Sequence, residues 1–233
     1  MRGEFEGSLQ MRERLLGPGH LEVAGSLNNL GSVAAETGEF ETARPLYERA
    51  RDLRVEALGP EDPQVASSLN GLAILAWNEG DYEAAERLYQ QALAIWEAAY
   101  GENHADVAKG LNNLGLLYHQ LERVEEAEIH YKRAIAIYER VLGPEHPRLG
   151  TAINNLALLY QFQERYAEAE KQLELVVRDT LYNARPQAFI NLGLCRLRLP
   201  ASGSGLGRAP EPPRAGHLDR HRQVHRLRRL RGG

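Results

Sequence analysis

The sequence predicts an all-α solenoid of stacked helix pairs. Three observations predict it. A block recurs four times at a spacing of 42 residues, with junctions at Gly17, Gly59, Gly101 and Gly143. Shortly after each junction come Leu27-Asn28-Asn29-Leu30, Leu69-Asn70-Gly71-Leu72, Leu111-Asn112-Asn113-Leu114 and Ile153-Asn154-Asn155-Leu156. Within each block, apolar residues return every three to four positions, which is the helical period. A fixed period of a few tens of residues marks a stacked repeat array. Such an array presents one long surface and seldom carries chemistry.

The second unit shows why each element forms. Leu58-Gly59-Pro60 stops a helix, because Gly takes a left-handed cap conformation and Pro cannot continue the helix. Asp62-Pro63 starts the next one, with Asp as N-cap and Pro at the first helical position. Val65, Leu69, Leu72, Ala73 and Ala76 give that helix its apolar face. Gly80-Asp81 breaks the chain, and Tyr82, Ala85, Leu88, Tyr89, Ala92 and Ile95 form the second helix. His104 and His146 stand 42 residues apart, in register with Asp62, and read as turn and capping residues.

Small and bulky residues alternate as a packed helix pair requires. First helices offer Gly31, Ala73, Gly115 and Ala157; second helices offer Ala43, Ala85, Ala127 and Ala169. Tyr47, Tyr89 and Tyr131 fill the space beside them, with Leu173 in the fourth unit. At two inner turns, Glu122 and Glu164 replace the glycines Gly38 and Gly80.

The chain divides into residues 1–16, the second helix of a truncated repeat; 17–183, four repeats; 184–199, a degenerate first helix; and 200–233, a disordered tail rich in Arg, Pro and Gly. The tail holds eight Arg against Glu211 and Asp219, a charge of +6, so with a net charge of −4 the rest of the chain carries −10. An acidic array is not built to hold a nucleic-acid backbone. The half-repeat at the start and the break near residue 199 fit a fragment of a longer protein or a reading frame lost near that point, with a complete small protein with frayed ends as the plainer alternative.

Chemistry is not written in the chain. Gly-x-x-x-x-Gly-Lys, His-Glu-x-x-His and Gly-x-Ser-x-Gly are absent, so no enzyme, cofactor or metal site is expected. Glu126 and His130 lie one helical turn apart and read as a solvated pair. One cysteine, Cys195, excludes an internal disulfide and fits a reducing, cytoplasmic setting. No stretch is apolar enough to span a bilayer.

Leu-x-x-Leu-Gly/Ala-x-x-Tyr, Gly-x-Tyr-x-x-Ala and Tyr-x-x-Ala resemble the tetratricopeptide repeat. The 42-residue unit, with Leu142-Gly-Pro-Glu-His-Pro147, is similar to the kinesin light chain version. The likeness covers about residues 5–180. It implies a concave groove lined by the first helices, with the second Asn of each Asn pair facing it. Those are Asn29, Asn113 and Asn155, with Gly71 a gap in the row. Helical spacing adds Ile74, Trp77, Asn78, Lys109, Leu116, His119, Gln120, Leu158 and Gln161 to that face. An Asn carboxamide donates and accepts, so it suits the backbone of an extended peptide. The same residues also suit a structural task, holding neighbouring backbone to set the angle between repeats, and Trp77 also suits the core.

The expected function is a protein-interaction scaffold. Its partner is a peptide or helix with an apolar or aromatic anchor beside an acidic residue, the latter facing Lys109 and, if protonated, His119. Two further readings stand beside it: a sensor arm of a larger protein that carries an ATPase or other catalytic domain, and nucleic-acid or anionic-surface binding through residues 220–231.

Overall fold

A computed structural model describes residues 2–178 and 185–199, all of their regular structure helical. The order is α1 (Arg2–Leu16), α2 (Leu21–Glu36), α3 (Phe40–Leu58), α4 (Pro63–Glu79), α5 (Tyr82–Tyr100), α6 (Ala105–Gln120), α7 (Val124–Leu142), α8 (Pro147–Phe162), α9 (Tyr166–Arg178) and α10 (Arg185–Arg198). Residues 200–233, read above as a disordered tail, lie outside the described residues.

Each helix packs on its neighbours in the chain, and first helices also touch across units, as α2 does α4, α6 does α8 and α8 does α10. That one-dimensional contact pattern is the fold of a repeat array. The main apolar cluster runs without a break from Val65 in α4 to Cys195 in α10. Smaller clusters join α2, α3 and α4 at the other end.

The turns follow from local chemistry. His20, Asp62, His104 and His146 each cap a first helix by accepting from the backbone N–H two residues on, at 3.1, 2.8, 3.2 and 3.2 Å. The accepting atom of each histidine is Nδ1. The histidines of these turns are thus N-caps. The junction glycines depart from the expected left-handed cap. Gly59 and Gly101 have φ of 89° and 75° with ψ of 161° and 172°, a region open essentially to glycine alone. The left-handed cap appears instead at the inner turn, where Gly80 has φ 88° and ψ 4°. Glu122 and Glu164 occupy that inner position with φ of 58° and 60°. A side chain there costs about 1 kcal/mol relative to glycine.

The small-on-aromatic contacts are tight. A Cβ built on Gly31 would lie 3.2 Å from the Tyr47 ring, and one on Gly115 would lie 2.8 Å from Tyr131. Tyr47 also explains the gap in the Asn row. A side chain at Gly71 would meet the ring of Tyr47, with Cζ only 2.6 Å from the added Cβ.

Candidate functional site

The first helices carry the predicted groove residues at regular positions. Ile74, Trp77 and Leu116 are half-buried, with one side packed on the main core cluster and the other open. Leu158, Gln120 and His119 are also half-buried, and Phe162 is exposed beside them. The His119 and Phe162 rings meet edge to face with centroids 5.6 Å apart. Trp77 is thus partly core and partly open.

The asparagines form a ladder between units. Asn113 Nδ2 donates to Asn70 Oδ1 at 2.9 Å, and Asn155 Nδ2 donates to Asn112 Oδ1 at 3.1 Å. Asn191 Nδ2 repeats the contact to Asn154 Oδ1 at 3.1 Å. In each case the second Asn of one unit, or Asn191 as its counterpart in α10, reaches the first Asn of the unit before it. Neighbouring carboxamides, not neighbouring backbone, are the partners. Asn70, Asn154 and Asn191 are buried, so each unmet carboxamide would carry a desolvation cost. Asn113 and Asn155 keep part of their surface open, and Asn29, at the head of the row, is exposed.

Three other predicted groove residues are held locally. Asn78 Nδ2 donates to the Ile74 carbonyl oxygen at 2.7 Å, folding back on its own helix. Gln161 Nε2 turns toward α10 and donates to the Asn191 carbonyl oxygen and Cys195 Sγ, both at 3.0 Å. Lys109 Nζ pairs with Asp106 Oδ1 at 2.7 Å and lies 4.4 Å from the Trp96 ring centroid.

The electrostatics of this face correct one expectation. Burial holds the His119 imidazole down at about 4, so it is neutral in ordinary buffers. It does not supply a second cation. With Lys109 paired to Asp106, the middle of the row offers apolar, aromatic and amide groups rather than net positive charge.

Sequence reasoning missed two polar systems that join the units. Arg54 is buried, and its Nη1 donates to Asn28 Oδ1, the Gln64 carbonyl oxygen and Ser68 Oγ at 3.1, 2.9 and 2.7 Å. Burial pulls this guanidinium below its usual range. The second system recurs across successive joints. Arg123 Nη1 and Tyr118 Oη donate to Glu86 at 2.9 and 3.0 Å; Arg165 Nη1 and Tyr160 Oη donate to Glu128 at 2.7 and 3.0 Å. Burial raises the Glu128 carboxyl, but its bonds from Arg165, Lys132 and Tyr160 outweigh that and hold it at about 2. The spacing of 42 between Arg123 and Arg165, and between Glu86 and Glu128, was the available signal.

Among the described residues no group of three or more His, Cys, Asp or Glu is placed to hold a metal ion. Nor is any described helix long and apolar enough to cross a membrane.

Comparison with known proteins agrees with this geometry. A model of the tetratricopeptide repeat matches residues 2–54, 22–98, 64–140 and 106–178. The crystal structure of BtubC (BKLC) from P. vanneervenii is 25% identical with a TM-score of 0.72, over 84% of this chain and 82% of that one. A P. anserina structure described as "putative kinesin light chain nearly identical TPR-like repeats" is 23% identical with a TM-score of 0.66, over 77% of this chain and 88% of that one. PilF of Pseudomonas aeruginosa is 22% identical with a TM-score of 0.60, over 76% of this chain and 69% of that one. No curated protein sequence matches the chain.

Proposed function

This chain belongs to the tetratricopeptide repeat family, and on that premise we propose that the row of first helices holds an apolar segment of a partner protein. Repeats of this family are in general non-catalytic platforms for other proteins and peptides. One observation carries the finer reading. Ile74, Trp77, Leu116, Leu158 and Phe162 keep open apolar surface on consecutive first helices, and His119 among them is neutral. A repeat array binds by adding modest contacts from adjacent units, so affinity grows with the number of units engaged.

Partner chemistry follows from the same side chains. Apolar and aromatic anchors suit the α4, α6 and α8 surface. An acidic residue in the partner gains little, because Lys109 already has Asp106. The open parts of Asn113 and Asn155 keep a carbonyl oxygen able to accept from a peptide N–H, since each spends a donor on the ladder.

The test is selection of peptides from a random display library on the full chain, then fluorescence polarisation with a selected peptide. A Leu116→Glu/Leu158→Glu variant that keeps its helical circular dichroism should bind at least ~10-fold more weakly, about 1.4 kcal/mol. Undiminished binding by that folded variant would place the site on another face.

A further inference from the structure

Arg54 is a cation that the array encloses without an anion. It is 6% exposed. From α3 it reaches between two first helices, to Asn28 on α2 and to Gln64 and Ser68 on α4. All three bonds come from Nη1, and all three acceptors are neutral oxygens. Nε is buried and meets no acceptor. Nη2 bonds none of the described residues, and it is not enclosed as Nε is.

Among the described residues no carboxylate comes within ion-pair distance of Arg54. Arginines that have such a partner are more open: Arg123, Arg133 and Arg165 keep 39, 38 and 33% of their side chains exposed. Asp62 is the carboxylate whose charge acts on Arg54. Its Oδ1 is already the cap of α4, accepting from the Gln64 N–H at 2.8 Å. A charge withdrawn from water destabilises the fold unless hydrogen bonds and a counter-charge replace its hydration. Neutral oxygens on Nη1 supply the first in part and the second not at all. Arg12, one repeat earlier, makes the matching bonds to Ser26 Oγ and the Glu22 carbonyl oxygen, but it is only half-buried, so its open face meets solvent.

The next joint shows what is lacking. There Trp96 stands in place of Arg54, and Lys109 lies over its ring, 4.4 Å from the centroid. That cation has a counter-charge, Asp106 Oδ1 at 2.7 Å. Forty-two residues before Asp106 the chain has Gln64. Both joints therefore hold a cation, and only one holds a carboxylate. Around Arg54 the groups left over are donors. The carboxamides of Gln64 on α4 and of Asn29, next to Asn28 on α2, are exposed and bond none of the described residues. Each has N–H groups to turn toward an anion. With so little of Arg54 open, the approach suits an ion of a single atom rather than the side chain of a bound peptide.

We propose that the joint between the first and second units binds a chloride ion, held by Arg54 Nη2 and the carboxamide N–H groups of Gln64 and Asn29. The ion does for Arg54 what Asp106 does for Lys109. It ties α2, α3 and α4 together, and the stability of the array depends on it.

Two measurements on the full chain test this. Thermal unfolding is followed by circular dichroism in sodium chloride and in sodium gluconate, each at about 0.1 M, gluconate being too bulky for the opening. Chloride should raise the midpoint by about 3 °C relative to gluconate. The difference should vanish in Arg54→Trp/Ser68→Gly, whose joint is neutral. If that variant does not fold, Gln64→Glu takes its place. It supplies the carboxylate within the chain, so it should melt higher than wild type in gluconate and lose the response to chloride. Crystals of the wild type soaked in sodium bromide should show an anomalous peak in contact with Arg54 Nη2. A wild type that melts alike in the two salts overturns the inference, as does a chloride effect that a folded variant keeps. A bromide map without a peak at Arg54 overturns it as well. A peak without the chloride effect marks an adventitious ion only and counts against it too.

Discussion

Arg54 Nη1 donates to Ser68 Oγ at 2.7 Å, and this contact across α3 and α4 is one of two chemical versions of the same joint. Forty-two residues on, Trp96 replaces the arginine and Gly110 the serine; a Cβ on Gly110 would sit 3.4 Å from the Trp96 ring. Next come Tyr138 and Ala152, both buried. Arginine thus goes with serine and an aromatic ring with a small apolar residue. The polar version needs a hydroxyl to satisfy the guanidinium; the aromatic version needs room for the ring.

Arg54→Ala should therefore destabilise the array by about 2–4 kcal/mol, because Ser68 and the Gln64 carbonyl lose a charged donor in a buried place. Arg54→Trp combined with Ser68→Gly, which installs the aromatic version, should recover at least half of that loss. Urea unfolding followed by circular dichroism measures both. A double variant no better than Arg54→Ala would mean that the two versions are not interchangeable.

The ladder makes unequal demands on equivalent asparagines. Asn113→Ala strips the donor from buried Asn70 and should cost about 1–2 kcal/mol. Asn29 is exposed, and Asn29→Ala should stay within roughly 0.5 kcal/mol of wild type. Parallel denaturant titrations decide the matter. Equal losses would show that the carboxamide contact is not what matters at these positions.

Acid should weaken the fold through His119. Its folded value of about 4 lies below the ordinary histidine value of 6.5. Between those two pH values the unfolded chain binds a proton that the folded chain refuses. Stability is therefore intact above about pH 6.5 and falls as the pH drops toward 4, by roughly 3 kcal/mol if His119 acts alone. His119→Gln should flatten that part of the profile. Glu128, held at about 2, loses its contribution only as the pH falls below the ordinary carboxylate range, and does so in both proteins. Thermal melts of wild type and variant at successive pH values should converge on acidification. Parallel curves would contradict a neutral, buried His119.

Much of the fold was legible because it repeats. Gly80 and Gly101 at turns, Ala85 and Ala127 at close helix contacts, and Tyr89 and Tyr131 beside them recur at one period. Each does a local job that a single residue type performs best. Leu116 and Leu158 were reached by helical spacing counted from Asn113 and Asn155, whose place on the groove face is what the family resemblance implies. Their polar neighbours were harder. Gln161 points to α10 and Lys109 to Asp106, and neither partner choice is encoded in spacing.

The sequence by itself determined the helix pair, its period and the side of each helix that faces the neighbouring units. Those follow from backbone geometry and apolar periodicity, which act over a few residues. Only the tertiary structure decided how side chains are shared between units: Asn113 with Asn70, Arg54 with Ser68, Glu128 with Arg165. It also decided that the ring of Tyr47 stands where a side chain at Gly71 would lie, and that His119 stays neutral. These depend on distances of a few ångströms between residues some forty positions apart, and on the water excluded from between them. That information exists only once the helices are stacked.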